Sequence, residues 1–110
     1  YLSQADEAFR RSMEFLRKSS NGVHEQSQSL WATFNYASFL YRNYGSERVN
    51  DIKNMLIYLS EPRFDNFVFR RYLARLAGPP KEFDIYDRKN VLGLAKLDSG
   101  FSAMLKKLGW

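Results

Sequence analysis

Apolar residues recur at spacings of three and four along most of the chain, so the predicted elements are helices. Leu2, Ala5, Phe9, Met13 and Leu16 form the first such series. Ser3 with Asp6 resembles a capping box at its start, and Asn21-Gly22 supplies a stop after Ser19. The second series runs from about Glu25 to Tyr44. Leu30, Phe34, Ala37, Tyr41 and Tyr44 mark one stripe, and Trp31 and Leu40 widen it. A helix apolar over that much of its circumference is expected at the centre of a bundle.

Gly45-Ser46 reads as a stop followed by an N-cap, and Val49, Ile52, Met55, Leu56 and Leu59 define a third helix. Pro62 ends it and can start a fourth, because proline is tolerated in a first helical turn. That fourth helix, 62–76, is closed by Gly78-Pro79-Pro80. Residues 79–87 read as a loop or short strap, since Phe83 and Ile85 alternate with charged neighbours, and over Lys81–Asp87 a helical turn is an equal alternative. Asp87 then caps a helix containing Val91, Leu92 and Ala95. Asp98-Ser99-Gly100 breaks the chain before a last helix with Phe101, Met104, Leu105 and Leu108. The expected fold is all-α: one domain over 1–110, built as an antiparallel up-down four-helix bundle with one or two short C-terminal helices.

The amphipathic segment from Pro62 to Pro80 carries the most distinctive pattern. At about 100° per residue, Val68, Phe69, Tyr72, Leu73 and Leu76 make one apolar arc. Arg63, Arg70, Arg71 and Arg75 fall opposite, with Phe64 and Phe67 among them and Lys81 just beyond. Guanidinium groups match carboxylate and phosphate bidentately and stack on aromatic planes. A face of this kind suits an acidic partner. Phe64 and Phe67 are either platforms for unstacked bases or core residues packed back on the third helix.

Charge sharpens that expectation. The formal net charge is +5. Residues 1–55 hold seven Lys/Arg against six Asp/Glu, and residues 56–110 hold ten against six, so attraction to an acidic partner concentrates in the second half. Arg10-Arg11 and Arg17-Lys18 sit near Glu7 and Glu14 and read as a solvated, partly paired face.

The composition, 45% hydrophobic and 16% aromatic, is that of a folded globule. The absence of cysteine removes disulfides, thiolate metal sites and cysteine nucleophiles, and leaves the compartment open. His24 is the single histidine and reads as a solvated helix start. No phosphate-cradling glycine motif is present. Glu82, Asp84 and Asp87 lack a fourth metal partner nearby. No catalytic, cofactor-binding or metal-ligating residue is therefore expected, and the chain does not read as an enzyme. Tyr36, Tyr41, Tyr44 and Tyr58 are expected to pack at the core boundary with their hydroxyls reaching water.

No apolar run approaches the ~20 residues of a membrane span, and no secretory signal is visible. A start at Tyr1 rather than Met suggests a fragment or a processed form. The functional expectation is an accessory or adaptor domain whose basic face docks on an acidic surface of a larger assembly. Nucleic-acid binding, to single strands or structured RNA, is the alternative, and association with an anionic membrane comes third.

Overall fold

The computed structural model describes residues 2–18, 22–76, 78 and 82–110. Six α-helices follow in order: α1 (Leu2–Lys18), α2 (Val23–Tyr44), α3 (Val49–Leu59), α4 (Val68–Arg75), α5 (Glu82–Ala95) and α6 (Ser99–Lys107). Among the described residues there is no strand. The all-helical expectation holds.

The packing centres on α2, which contacts α1, α3, α4 and α5, while α6 closes the assembly against α3 and α5. The reason lies in the width of its apolar surface. Leu30, Phe34, Tyr36, Ala37, Phe39 and Leu40 are all buried, so α2 keeps only a narrow strip for water, at Asn35, along its middle turns. Ile52, Leu56 and Leu59 of α3, Phe69 and Leu73 of α4, Val91 and Leu94 of α5 and Phe101 of α6 complete one continuous core. Aromatic edges set much of the contact between α2 and α4: Trp31 lies edge-on to Phe69 at 5.4 Å and 4.9 Å from Tyr72, and Phe34 meets Phe69 at 5.2 Å.

Two glycines have a conformational or steric task. Gly45 takes φ +56°, the left-handed region that ends α2. Gly93 lets α5 approach α2 closely, since a Cβ there would lie 2.4 Å from the Tyr41 hydroxyl oxygen and 2.6 Å from its Cζ. Asp98 caps α6 by accepting a hydrogen bond from the Phe101 amide at 2.9 Å.

Three expected boundaries change. Ser46 does not cap α3: Gly45–Arg48 form a 3-10 turn, and α3 starts at Val49. Ser3 lies inside α1 rather than before it, and Asp6 is engaged elsewhere. The strap expected over 79–87 is helical from Glu82 on, and residues 79–81 lie outside the described residues. Its period-two signal rested on two apolar positions, and no glycine or proline interrupts 81–92 to oppose a helix. Asp87 is consequently mid-helix and caps nothing; it accepts a hydrogen bond from the Tyr72 hydroxyl at 2.5 Å.

Candidate functional site

The segment that carries the basic pattern is a turn followed by a helix. Pro62–Phe64 form a 3-10 turn, and Phe67 is extended (φ −78°, ψ 152°) immediately before α4. A helical wheel started at Pro62 therefore misplaces everything before Val68. The register that matters begins six residues later.

Two corrections follow. Arg70 does not face solvent: it is 2% exposed and is the largest fully buried side chain among the described residues. Its guanidinium donates to the Leu59 carbonyl at 2.6 Å, to the Glu61 carbonyl at 2.8 Å and to the Asp65 carboxylate at 3.0 Å. The Leu59 carbonyl belongs to the last turn of α3, where carbonyls lack helical partners. Arg70 thus closes the end of α3 from eleven residues downstream. Burial pushes its pKa down, opposed by the charge of Asp65, and the group stays cationic because arginine titrates so far above neutrality.

Phe64 is the second correction. It is 1% exposed, packs against Tyr58 at 5.2 Å and touches Phe67 at 5.4 Å, while the Arg63 guanidinium covers its ring at 4.6 Å. Phe67 is partly buried against the same core. Neither ring is an open platform, so the packed alternative is the one realised. The cause is the 3-10 turn, which folds both phenylalanines back under α3.

The remaining positions of the expected face divide. Arg63 is exposed, but its charge is met by Glu61 at 2.6 Å. Lys81 lies outside the described residues. Arg71 and Arg75 are exposed on α4, and no carboxylate among the described residues pairs with either. They stand four residues apart, about 6 Å along the helix axis, with the half-exposed Val68 (52%) one turn before Arg71. Other arginines are occupied: Arg10 and Arg11 by Glu7, Arg48 by Asp6 and Asp51. Lys107 of α6 reaches Asp65 at 3.3 Å, which brings the end of α6 beside the turn before α4. The sequence shows Lys106-Lys107 as added charge at the C-terminus, but not the pairing of Lys107 with Asp65, 42 residues away. Sequence reasoning placed Val68 in the core, although Val68 opens the helix where an apolar arc is least covered.

A second polar cluster joins α1, α2 and α3. The Tyr36 hydroxyl donates to Asp6, and Arg48 holds the other Asp6 oxygen at 2.9 Å and Asp51 at 2.7 Å. Burial, then the hydrogen bond to the Asp6 carboxylate, pushes the Tyr36 pKa up to about 12. Burial of Asp6 would raise its pKa, but the bonds from Tyr36 and Arg48 outweigh it and hold the carboxyl below its usual range. The hydrogen bonds from Arg48 to Asp51 and Asp6 raise its own pKa further. This network fastens α1. Every charged group in it already has a partner, as in a structural joint.

His24 is exposed in the first turn of α2, as expected of a solvated helix start. Among the described residues no group of three His, Asp or Glu side chains could hold a metal ion, and no helix is long and apolar enough to cross a membrane. Comparison of the chain with protein-family models, with curated proteins and with solved structures finds no match in any of the three.

Proposed function

We propose that the chain is a non-enzymatic adaptor domain that docks an acidic protein surface against the outer face of α4. The observation that carries this reading is the contrast among the arginines. Arg10, Arg11, Arg48, Arg63 and Arg70 are each met by a carboxylate, whereas Arg71 and Arg75 point to solvent without one among the described residues. Val68 adds an apolar contact to the same strip. Two guanidinium forks about 6 Å apart match a pair of carboxylates one helical turn apart. The short connections between α1, α2, α3 and α4 favour the antiparallel order of a rigid bundle scaffold. The covered rings of Phe64 and Phe67 weigh for a protein partner over single-stranded nucleic acid, which draws affinity from open stacking platforms.

The test is affinity for poly-L-glutamate at low salt. Arg71→Glu with Arg75→Glu lowers the net charge from +5 by four units to +1. The pair Arg10→Glu with Arg11→Glu makes the same change on α1. The first variant is expected to bind about tenfold more weakly than the native protein, a loss of about 1.4 kcal/mol. The second is expected to stay within about twofold. Equal weakening by both would show that net charge alone attracts the polymer. Tighter, Arg71-dependent binding of an oligothymidylate would replace this reading with the nucleic-acid one.

A further inference from the structure

We propose that the outward face of α5 is a second docking strip, shaped for a helix of a partner protein that presents one aliphatic side chain between two carboxylates. Leu92 lies on this face 45% exposed, although its neighbours Val91 and Leu94 are fully buried. It cannot turn inward. Gly93 meets the Tyr41 ring too closely for any side chain there, so packing fixes the rotation of α5. Bonds from Tyr72 to Asp87 and from Arg88 to the Gly78 carbonyl hold the same helix further along. Lys89 stands three residues before Leu92 and Lys96 four residues after it, both exposed. These spacings put the three on one helix face, with the two cations seven residues, or about 10 Å, apart.

No carboxylate among the described residues pairs with either lysine. The acids beside them in sequence are engaged elsewhere: Asp87 accepts from the Tyr72 hydroxyl and Asp98 from the Phe101 amide. Other exposed apolar residues lack this bracket. Phe15 follows Arg11, which Glu7 already holds; Ile57 has Lys53 before it and Glu61 after it; Val68 has Asp65 before it. Charge complementarity therefore calls for two acids on the occupant, and Leu92 calls for an apolar contact between them. A single leucine buries too little to enter a bilayer, and it offers nothing to a sugar–phosphate backbone. Against a facing helix it can seat between side chains while the ammonium groups meet carboxylates at the rim. Because α5 is held in place beforehand, little conformational freedom is lost on docking. None of these residues belongs to the α4 strip, so the two surfaces stand or fall separately.

The experiment is a 1H–15N titration of the full chain at low salt with helical peptides of about 16 residues. Each carries Glu-x-x-Leu-x-x-x-Glu, in one direction or the reverse, on an alanine–glutamine background. Saturable shifts are expected at the amides of Lys89, Leu92 and Lys96 with one of the two, at half-saturation of about 1 mM or below. Lys89→Gln with Lys96→Gln should weaken that binding about tenfold, and Leu92→Ala about threefold. Arg71→Gln with Arg75→Gln removes the same charge from α4 and should leave half-saturation at α5 within about twofold. All these side chains are exposed, and the spectrum itself reports that each variant is folded. No saturable shift at α5 up to about 10 mM peptide, equal weakening by the arginine pair, or unchanged affinity in Leu92→Ala would overturn the proposal. Tighter binding of an oligothymidylate or of phosphatidylserine vesicles through Lys89 and Lys96 would overturn it as well, in favour of a phosphate-bearing ligand.

Discussion

Replacing Arg70 with methionine is expected to destabilise the protein by about 3–5 kcal/mol, the range for removing one partner of a buried charged network. The methylene volume is roughly kept, so little of the loss comes from a cavity. What is lost is the fork that serves the Leu59 and Glu61 carbonyls and the Asp65 carboxylate together. The buried Leu59 carbonyl, left unpaired, costs about 1–3 kcal/mol, while the Glu61 carbonyl keeps the Phe64 amide at 3.1 Å and adds less. Asp65 adds less, because it is partly exposed and keeps Lys107. Arg70→Lys should recover only part of the loss, since one ammonium cannot span three acceptors in that plane. Arg71→Gln, one residue away on the open side, should change stability by less than about 0.5 kcal/mol. Urea midpoints at constant m-value give the comparison. A methionine variant no less stable than Arg71→Gln would remove Arg70 from its place under α3.

The second large effect is alkaline. Tyr36 titrates at about 12 in the folded protein against about 10 when exposed. A raised pKa means that the folded state keeps its proton where the unfolded state has lost it. The stabilisation is complete below pH 10 and disappears as pH rises through 12. Between these values the protein should lose on the order of 2 kcal/mol from this residue alone. Asp6 gives the opposite slope at the acid end. Its depressed pKa stabilises the fold above the ordinary carboxyl range, and that contribution fades as pH falls through the folded value. Tyr36→Phe should flatten the alkaline slope while costing about 1.5–3 kcal/mol at neutral pH, because a hydrogen bond to a charged group is removed. An unchanged slope in the phenylalanine variant would show that the Tyr36 hydroxyl does not carry the alkaline loss. The readout is denaturant stability measured at intervals from pH 8 to pH 12.

The helices whose ends are marked by local chemistry were legible from sequence. Gly45 needs a left-handed φ, Asp98 caps α6 by accepting from the Phe101 amide, and the wide apolar stripe from Leu30 to Tyr44 demanded a central position. The segment from Pro62 to Arg75 was less legible. Pro62 can open a helix or a 3-10 turn, and only the extended backbone at Phe67 decides that α4 begins at Val68. Within α4 the buried arc runs through Phe69, Leu73 and Arg70, and Val68, Arg71 and Arg75 share the outward side. An arginine's charge argues for the surface. A guanidinium that finds two carbonyls and a carboxylate can go inside, and nothing local in the sequence announces those partners. The same holds for Asp6, whose bonds to Tyr36 and Arg48 span 30 and 42 residues.

Arginine-specific labelling with phenylglyoxal, read by mass spectrometry on the native protein, tests this account most directly. Arg71 and Arg75 should react at rates close to that of Arg11, whose side chain is 78% exposed, and Arg70 should react only as fast as the protein unfolds. Modification of Arg70 on the same timescale as its two neighbours would contradict it.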